Sequence, residues 1–414
     1  MIEKKNTKTF YNNEIPGDWQ VKGLGELFNF KNGINSGKES YGKGVKFINV
    51  MEVIYNDCIT SEFIPGSVQI SEDQKKLYKV KNGDVLFNRT SETTDEIGLA
   101  SVYYGNDEVV FGGFIIRGRP TNSTIDDNFK RYCFRSKIVR SQIIKGGQGA
   151  IRTNIGQSDL EKVKVILPPL PEQKAIAQLL STWDNAITKT QTLIAKKEER
   201  KKWLMQNLLT GKKRLKGFER KWKEYHLGEM FTERNETKYF NLPLLSVGAS
   251  GIYPQSDSIK KDTSNDDKSK YKRICSGDIG YNTMRMWQGR SALSHLEGIV
   301  SPAYTIIIPN KDADSKFFAF LFKTSKMMNL FWRNSQGLVD DTLNCKFKDF
   351  SIIKFHLPNK EEQTAISQVF QNADKEIQLL NGKMEKLKEQ KKGLMQILLT
   401  GKKRLKIKIE KECS

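Results

Sequence analysis

A gapless internal repeat restricts the fold of this chain more than any other feature. Residues 167–216 read LPPLPEQKAIAQLLSTWDNAITKTQTLIAKKEERKKWLMQNLLTGKKRLK, and residues 357–406 read LPNKEEQTAISQVFQNADKEIQLLNGKMEKLKEQKKGLMQILLTGKKRLK. The two align at a constant offset of 190 residues. Both open on Leu-Pro and share Glu-Gln (Glu172-Gln173, Glu362-Gln363) and Ala-Ile-x-Gln. Both close on Leu-Met-Gln-x-Leu-Leu-Thr-Gly-Lys-Lys-Arg-Leu-Lys. A match of this length marks an internal duplication.

Both copies carry one hydrophobic rhythm. Ile366, Phe370, Ala373, Ile377, Leu380, Met384, Leu387, Leu394 and Leu398 step by four and three, with Lys391 in one slot. Ile176, Leu180, Trp183, Ile187, Ile194, Leu204 and Leu208 keep that register in the first copy, where Thr190, Lys197 and Lys201 fill the weak slots. Such a long, narrow stripe predicts a helix with a coiled-coil seam. Pro168, Pro169 and Pro171, or Pro358, stand at the helix entry, where proline is tolerated. Thr210-Gly211 and Thr400-Gly401, each followed by Lys-Lys-Arg, read as glycine C-caps with a favourable cationic end. Gly382 and Gly393 inside the second helix each cost about 1 kcal/mol relative to alanine, so pairing must supply the stability.

The segments between the helices repeat more loosely. Trp19 followed by Leu24-Gly25-Glu26-Leu27-Phe28 answers Trp222 followed by Leu227-Gly228-Glu229-Met230-Phe231. Gly83-Asp84-Val85-Leu86-Phe87-Asn88 answers Gly277-Asp278-Ile279-Gly280-Tyr281-Asn282, and helical patterns run into Gln148-Gly149 and Gln336-Gly337. Short apolar runs between Gly, Asn, Asp and Pro turns read as strands. Each segment is therefore expected to be a small mixed domain, giving an α+β chain. The expected order is a first domain over 1–166, a helix over 167–216, a second domain over 217–356, and a second helix with a tail over 357–414. If the second helix pairs with the first it must run back. The result is an antiparallel coiled coil and a pseudo-two-fold internal repeat. From Ile176 to Leu208 the rise is about 50 Å.

Lys plus Arg number 69 against 48 acidic residues, a net charge of +21. Phosphate backbones are the commonest reason for such an excess in a folded protein, although an acidic protein or a membrane surface would also serve. No run approaches the roughly 20 apolar residues of a membrane span, and the first 14 residues lack the apolar core of a signal peptide. Cys58, Cys133, Cys275, Cys345 and Cys413 are scattered, with no C-x-x-C and no clustered histidine. That pattern predicts a reducing cytoplasm and no structural zinc.

With Leu167 to Gln173 and its second copy, the two Leu-Gly-Glu openings, the Gly-Asp turns and Gly298-Ile299-Val300-Ser301-Pro302-Ala303-Tyr304, the chain resembles the specificity subunits of type I restriction–modification systems. The resemblance covers nearly the whole chain. It implies two target-recognition domains, each reading one half of a bipartite, non-palindromic site in double-stranded DNA. It implies helices that set the unread spacer and dock two modification (methyltransferase) subunits, with ATP-dependent restriction subunits joining that core. S-adenosylmethionine, ATP and Mg are then expected in the partner subunits and none of them in this chain. One departure is Leu-Pro-Asn-Lys-Glu-Glu-Gln at the second helix, which could alter its entry.

No catalytic motif is visible. A phosphate-binding P-loop is missing, as is the Asn/Asp-Pro-Pro-aromatic motif with which an amino-methyltransferase holds a flipped base. Base reading needs donors and acceptors on loops: Arg for guanine, Asn or Gln for adenine. The candidates are Asn88, Arg89, Thr90, Gln148, Arg152, Thr153 and Asn154 in the first domain. In the second they are Asn282, Arg285, Trp287, Gln288, Arg290, Arg333 and Gln336. Lys212-Lys213-Arg214 and Lys402-Lys403-Arg404 could hold phosphates or simply cap helix ends. Off the seam, Trp203, Met205, Met395 and Ile397 are candidate partner-binding residues, because the helix end recurs although the adjoining domains differ. The competing reading is a coiled-coil adaptor that joins proteins without reading DNA.

Overall fold

The computed structural model describes residues 6–11, 13–149, 152–248, 251–257, 266–339 and 342–405, so most of the C-terminal tail, 406–414, lies outside the described residues. Two 39-residue helices, Leu170–Leu208 and Lys360–Leu398, stand where the repeat predicts them. By contacts the chain divides into one unit of Met1–Thr190 with Lys383–Ser414 and a second of Gln191–Gly382. Each long helix therefore contributes one half to each unit.

In the first unit, Ile176, Ala177 and Leu180 share a core with Leu398 and Leu399, and Leu394, Met395 and Ile397 pack on it. Asp184 pairs with Lys391. In the second unit, Leu208, Leu209, Ile366 and Phe370 share a core, Lys201 pairs with Asp374 and Lys197 meets Glu376 at 2.6 Å. Partner numbers fall as the first helix rises, so the pairing is antiparallel in both units. The weak slots Lys197, Lys201 and Lys391 are the positions that reach across. Thr190, also in the seam, satisfies its hydroxyl on Ala186 O at 2.8 Å.

Each globular part has its own sheet, with the same strand order in its core. In the first unit the order is Phe28–Asn32, Ile115–Pro120, Val85–Asn88, Ala100–Tyr103, all antiparallel, with Cys58–Ile59 added parallel at the edge. In the second it is Phe231–Glu233, Tyr304–Pro309, Ile279–Asn282, Ser291–Leu293. Val85–Asn88 is buried along its whole length, as a central strand covered on both faces must be. The first unit adds a three-stranded sheet of Val109–Phe111, Tyr41–Ile48 and Ser67–Val68, without a counterpart among the described residues of the second, with helices Val50–Tyr55 and Glu72–Tyr78 beside it in sequence.

The repeated motifs have structural causes. In Leu-Gly-Glu, Leu24 and Leu227 are fully buried. Glu26 and Glu229 accept the backbone N–H of Gly23 and His226 at 2.6 and 2.7 Å, capping a one-turn helix. A Cβ on Gly25 or Gly228 would press on Glu161 or Ser351 at 3.1 or 2.9 Å. In Gly-Asp, Asp84 accepts from Lys81 N and two Arg119 nitrogens (2.8, 3.0 and 2.7 Å), and Asp278 from Cys275 N and Arg234. In Glu-Gln, Gln173 accepts from Asp126 N (2.8 Å) and donates to Thr124 O and Pro168 O. Gln363 repeats this with Asp314 N, Asp312 O and Pro358 O. The altered entry of the second helix leaves this joint unchanged, because Asn359 Oδ1 caps Glu362 N at 3.2 Å. Gly211 and Gly401 end the helices in the left-handed region, at φ +70° and +71°. No helix of the described residues is long and apolar enough to cross a membrane.

Candidate nucleic-acid interface

In each unit three segments meet at the end of the central strand, and the hydrogen bonds that join them are the same. Asn88 Oδ1 accepts from Thr90 N at 3.2 Å, and Asn282 Oδ1 from Met284 N at 3.0 Å, turning the chain out of the strand. The next residue is held from two sides. Arg89 N donates to Phe114 O (2.8 Å), and Ile155 N donates to Arg89 O (3.0 Å). In the second unit Thr283 N donates to Ala303 O (3.2 Å), and Cys345 N to Thr283 O (2.8 Å). The third segment closes on itself through paired backbone bonds, Gln148 with Asn154 and Gln336 with Asn344, at 2.8–2.9 Å. Its turn begins at Gly149 or Gly337, with φ +123° and +146°. A Cβ there would lie 2.1 Å from Arg152 O or 2.7 Å from Thr342 O, so only glycine fits.

On this common joint the side chains differ. The first unit presents Arg89 and Thr90, both half-buried, with exposed Gln148, Arg152 and Asn154 and half-buried Thr153. Thr90 Oγ1 donates to Asn154 Oδ1 at 2.7 Å, which joins two segments that lie far apart in sequence. Arg152 pairs with Glu92 at 3.2 Å, both exposed. The second unit presents exposed Arg285, Gln288 and Arg290 on the turn after Asn282, with Arg333 and Gln336 on the segment beside it. Gln336 Nε2 reaches Asp349 Oδ1 at 3.4 Å. No described carboxylate claims Arg285, Arg290 or Arg333.

Three candidates are corrected by their surroundings. Asn88 is fully buried, its amide donating to Glu96 O at 3.1 Å while its oxygen holds Thr90 N, so it shapes the turn and reads nothing. Trp287 is half-buried against the second core and its Nε1 donates to Met284 O at 3.1 Å, a brace for its own turn. Asn282 is likewise a turn-former, through its oxygen. Sequence reasoning missed Phe114, Met284 and Leu338, which are 54%, 48% and 100% exposed on these segments. Apolar residues in Gly-rich turns carry no periodic signal that separates them from strand ends.

The phosphate-holding reading of the Lys-Lys-Arg runs also divides. Arg214 gives two nitrogens to Glu362, and Arg404 gives two to Glu172. Both carboxylates are about 1% exposed and also accept an indole N–H, from Trp222 and Trp19, at 3.2 Å. The arginines are structural, while Lys212, Lys213, Lys402 and Lys403 face solvent.

The repeated globular parts match the family model for the type I restriction modification DNA specificity domain, over residues 16–197 and 219–389. The chain belongs to this family. A putative type I restriction enzyme specificity subunit of Methanocaldococcus jannaschii, MjaX, is 28% identical over 98% of each chain. The MjaVIII specificity subunit of the same organism is 24% identical over 98% of this chain and 97% of that one. Among solved structures, the S subunit of the type I system from M. genitalium superposes with a TM-score of 0.54 at 15% identity, covering 94% of this chain and 97% of that one. The HsdS subunit of Thermoanaerobacter tengcongensis gives 0.54 at 14% identity, covering 95% and 100%. As in those names, this is a specificity-family chain built of two copies of the domain.

In this specificity chain the four candidate partner-binding residues do not form one class. Met205, and Met395 with Ile397, are half-buried and pack on the cores of their own units, which accounts for their apolar character. Only Trp203 stands out, 47% exposed with Lys213 Nζ 4.6 Å over its ring. Its counterpart in the second helix is Gly393.

Proposed function

We infer that this chain is the non-catalytic DNA sequence-recognition subunit of a type I restriction–modification complex, and that its two units read the two halves of a bipartite, non-palindromic site. The observation that carries this reading is the joint of three segments, built with the same hydrogen bonds in both units and furnished with different side chains. One frame holding two unlike sets of Arg, Asn, Gln and Thr is what two different half-sites need. A coiled-coil adaptor that reads no DNA would have no use for it. Two modification subunits and the restriction subunits are the proposed protein partners. S-adenosylmethionine, ATP and Mg would act in those partners, and the complex would work in the cytoplasm, where its DNA is. Trp203 is the proposed contact on the helices. Trp203→Glu should weaken binding of one modification subunit about tenfold in a pull-down or titration, with Met205→Glu confounded by its own core. Assembly unchanged by Trp203→Glu would remove this contact.

Salt tests the DNA reading directly. If the complex neutralises roughly six to ten phosphates, affinity for duplex DNA should fall about 10³- to 10⁵-fold between 50 and 200 mM salt. Gel shifts across that range measure it, and a flat response would mean that the excess of +21 serves some other partner.

A further inference from the structure

The clearest unexplained difference between the two joints is apolar. In the first unit, Gly112-Gly113-Phe114 makes a tight turn in which Ile115 N donates to Gly112 O at 2.9 Å. A Cβ on Gly113 would lie 1.9 Å from the Asn35 amide oxygen, so the turn lies close against that side chain. Phe114 O accepts from Arg89 N, while the residue as a whole is 54% exposed. Ala303 holds the same place in the second unit.

We propose that Phe114 is a specificity-determining residue that packs on the 5-methyl group of a thymine, in the major groove of the half-site read by the first unit. The inference rests on the DNA-reading role argued above. A single exposed aromatic is ordinary on a protein surface; this one differs by its position. It is tied through the backbone to Arg89, in a joint whose other side chains are Thr90, Gln148, Arg152 and Asn154. Those groups suit polar base edges. The only apolar feature that a major-groove edge displays is the thymine methyl. A protein partner would instead call for a contiguous apolar patch, and among the described residues the side chains of the joint around Phe114 are polar.

The test uses the full chain in complex with its modification subunits. Mapping N6-methyladenine defines the site, and the half-site that survives exchange of residues 217–356 for a homologous domain belongs to the first unit. Each thymine of that half-site is then replaced by deoxyuridine, which removes only the methyl. One such replacement should weaken binding about fourfold, the worth of one buried methyl group. Phe114→Ala should weaken binding to the normal site and abolish the thymine–uracil difference. Phe114→Leu should retain part of it, and thermal unfolding of both variants should match the parent. If no uracil replacement affects the parent complex, or if discrimination survives Phe114→Ala, the proposal is overturned. A parent complex that shows no sequence preference at all would remove the DNA-reading role itself, a separate and earlier failure.

Discussion

Buried carboxylates dominate at the scale of the residue. Glu172 and Glu362 lie inside, each meeting an arginine fork and an indole N–H. Removing the arginine leaves a charge in the interior with one neutral donor, and breaking a buried pair in this way costs about 3–5 kcal/mol. The Arg214 side chain is 25% exposed and that of Arg404 is 44%, so water relieves the second loss more. Arg214→Ala should therefore destabilise the second unit by about 3 kcal/mol, and Arg404→Ala the first by less, as read from urea unfolding midpoints. Arg214→Lys should fall between, keeping the charge and losing the fork. Equal losses in the two variants would mean that burial does not set the cost. The sequence showed Glu-Gln as a repeat but could not show its chemistry. Arg214 and Glu362 are 148 positions apart, and nothing local links them. Asn88 misled for a related reason. An asparagine after an apolar strand looks the same whether its amide faces solvent or, as here, folds back to make the turn.

At the scale of the element, the seam is selective because it is imperfect. Asp184 accepts from Lys391 and from Tyr132 Oη (2.7 Å), and Lys391 Nζ lies 5.2 Å over the Tyr132 ring. The second unit repeats the arrangement with Asp374, Lys201 and the Phe320 ring at 5.4 Å. A register slip would separate these pairs, and fixing register is the best-attested use of polar seam positions. A double-mutant cycle of Asp184→Asn and Lys391→Met should give a coupling of about 1 kcal/mol, the upper end for an ion pair still partly wetted. A coupling near zero would leave the apolar slots alone to fix the register. The helices were legible because the four–three rhythm of Ile176 to Leu208 and of Ile366 to Leu398 fits a helix and not a strand. The sheets were legible only as a class. Cys58–Ile59 and Ser67–Val68 are two-residue strands, too short for any alternation to appear. The joint that presents the candidate contacts was half legible. Two of its segments were singled out as matched pairs, but Phe114 and Ala303 lie on the turn that bonds the residue after the strand, and the part this turn plays in the joint is revealed only by the hydrogen bonds.

At the scale of the whole molecule, the two helices are the parts that both units share, with the division falling after Thr190 in one and after Gly382 in the other. Each is continuous over 39 residues, a length of about 58 Å at 1.5 Å per residue. If the units read separate half-sites, as proposed, helix length is a natural ruler for the unread gap. Four residues inserted near Thr190 lengthen the first helix by about 6 Å and rotate its C-terminal half by only about 40°, since four residues are slightly more than one turn. Base pairs rise about 3.4 Å, so the added length corresponds to nearly two of them. A single insertion would break the pairing of Asp184 with Lys391 relative to that of Lys201 with Asp374, so the second helix needs a matching insertion near Leu380. The side chains of both joints are untouched by these changes. The double-insertion variant should therefore methylate a site whose gap is one or two base pairs longer and whose half-site sequences are unaltered, as mapped by sequencing N6-methyladenine. An active variant with the original gap would show that the helices are not the ruler, and would shift that role to the partner subunits or to bending of the DNA.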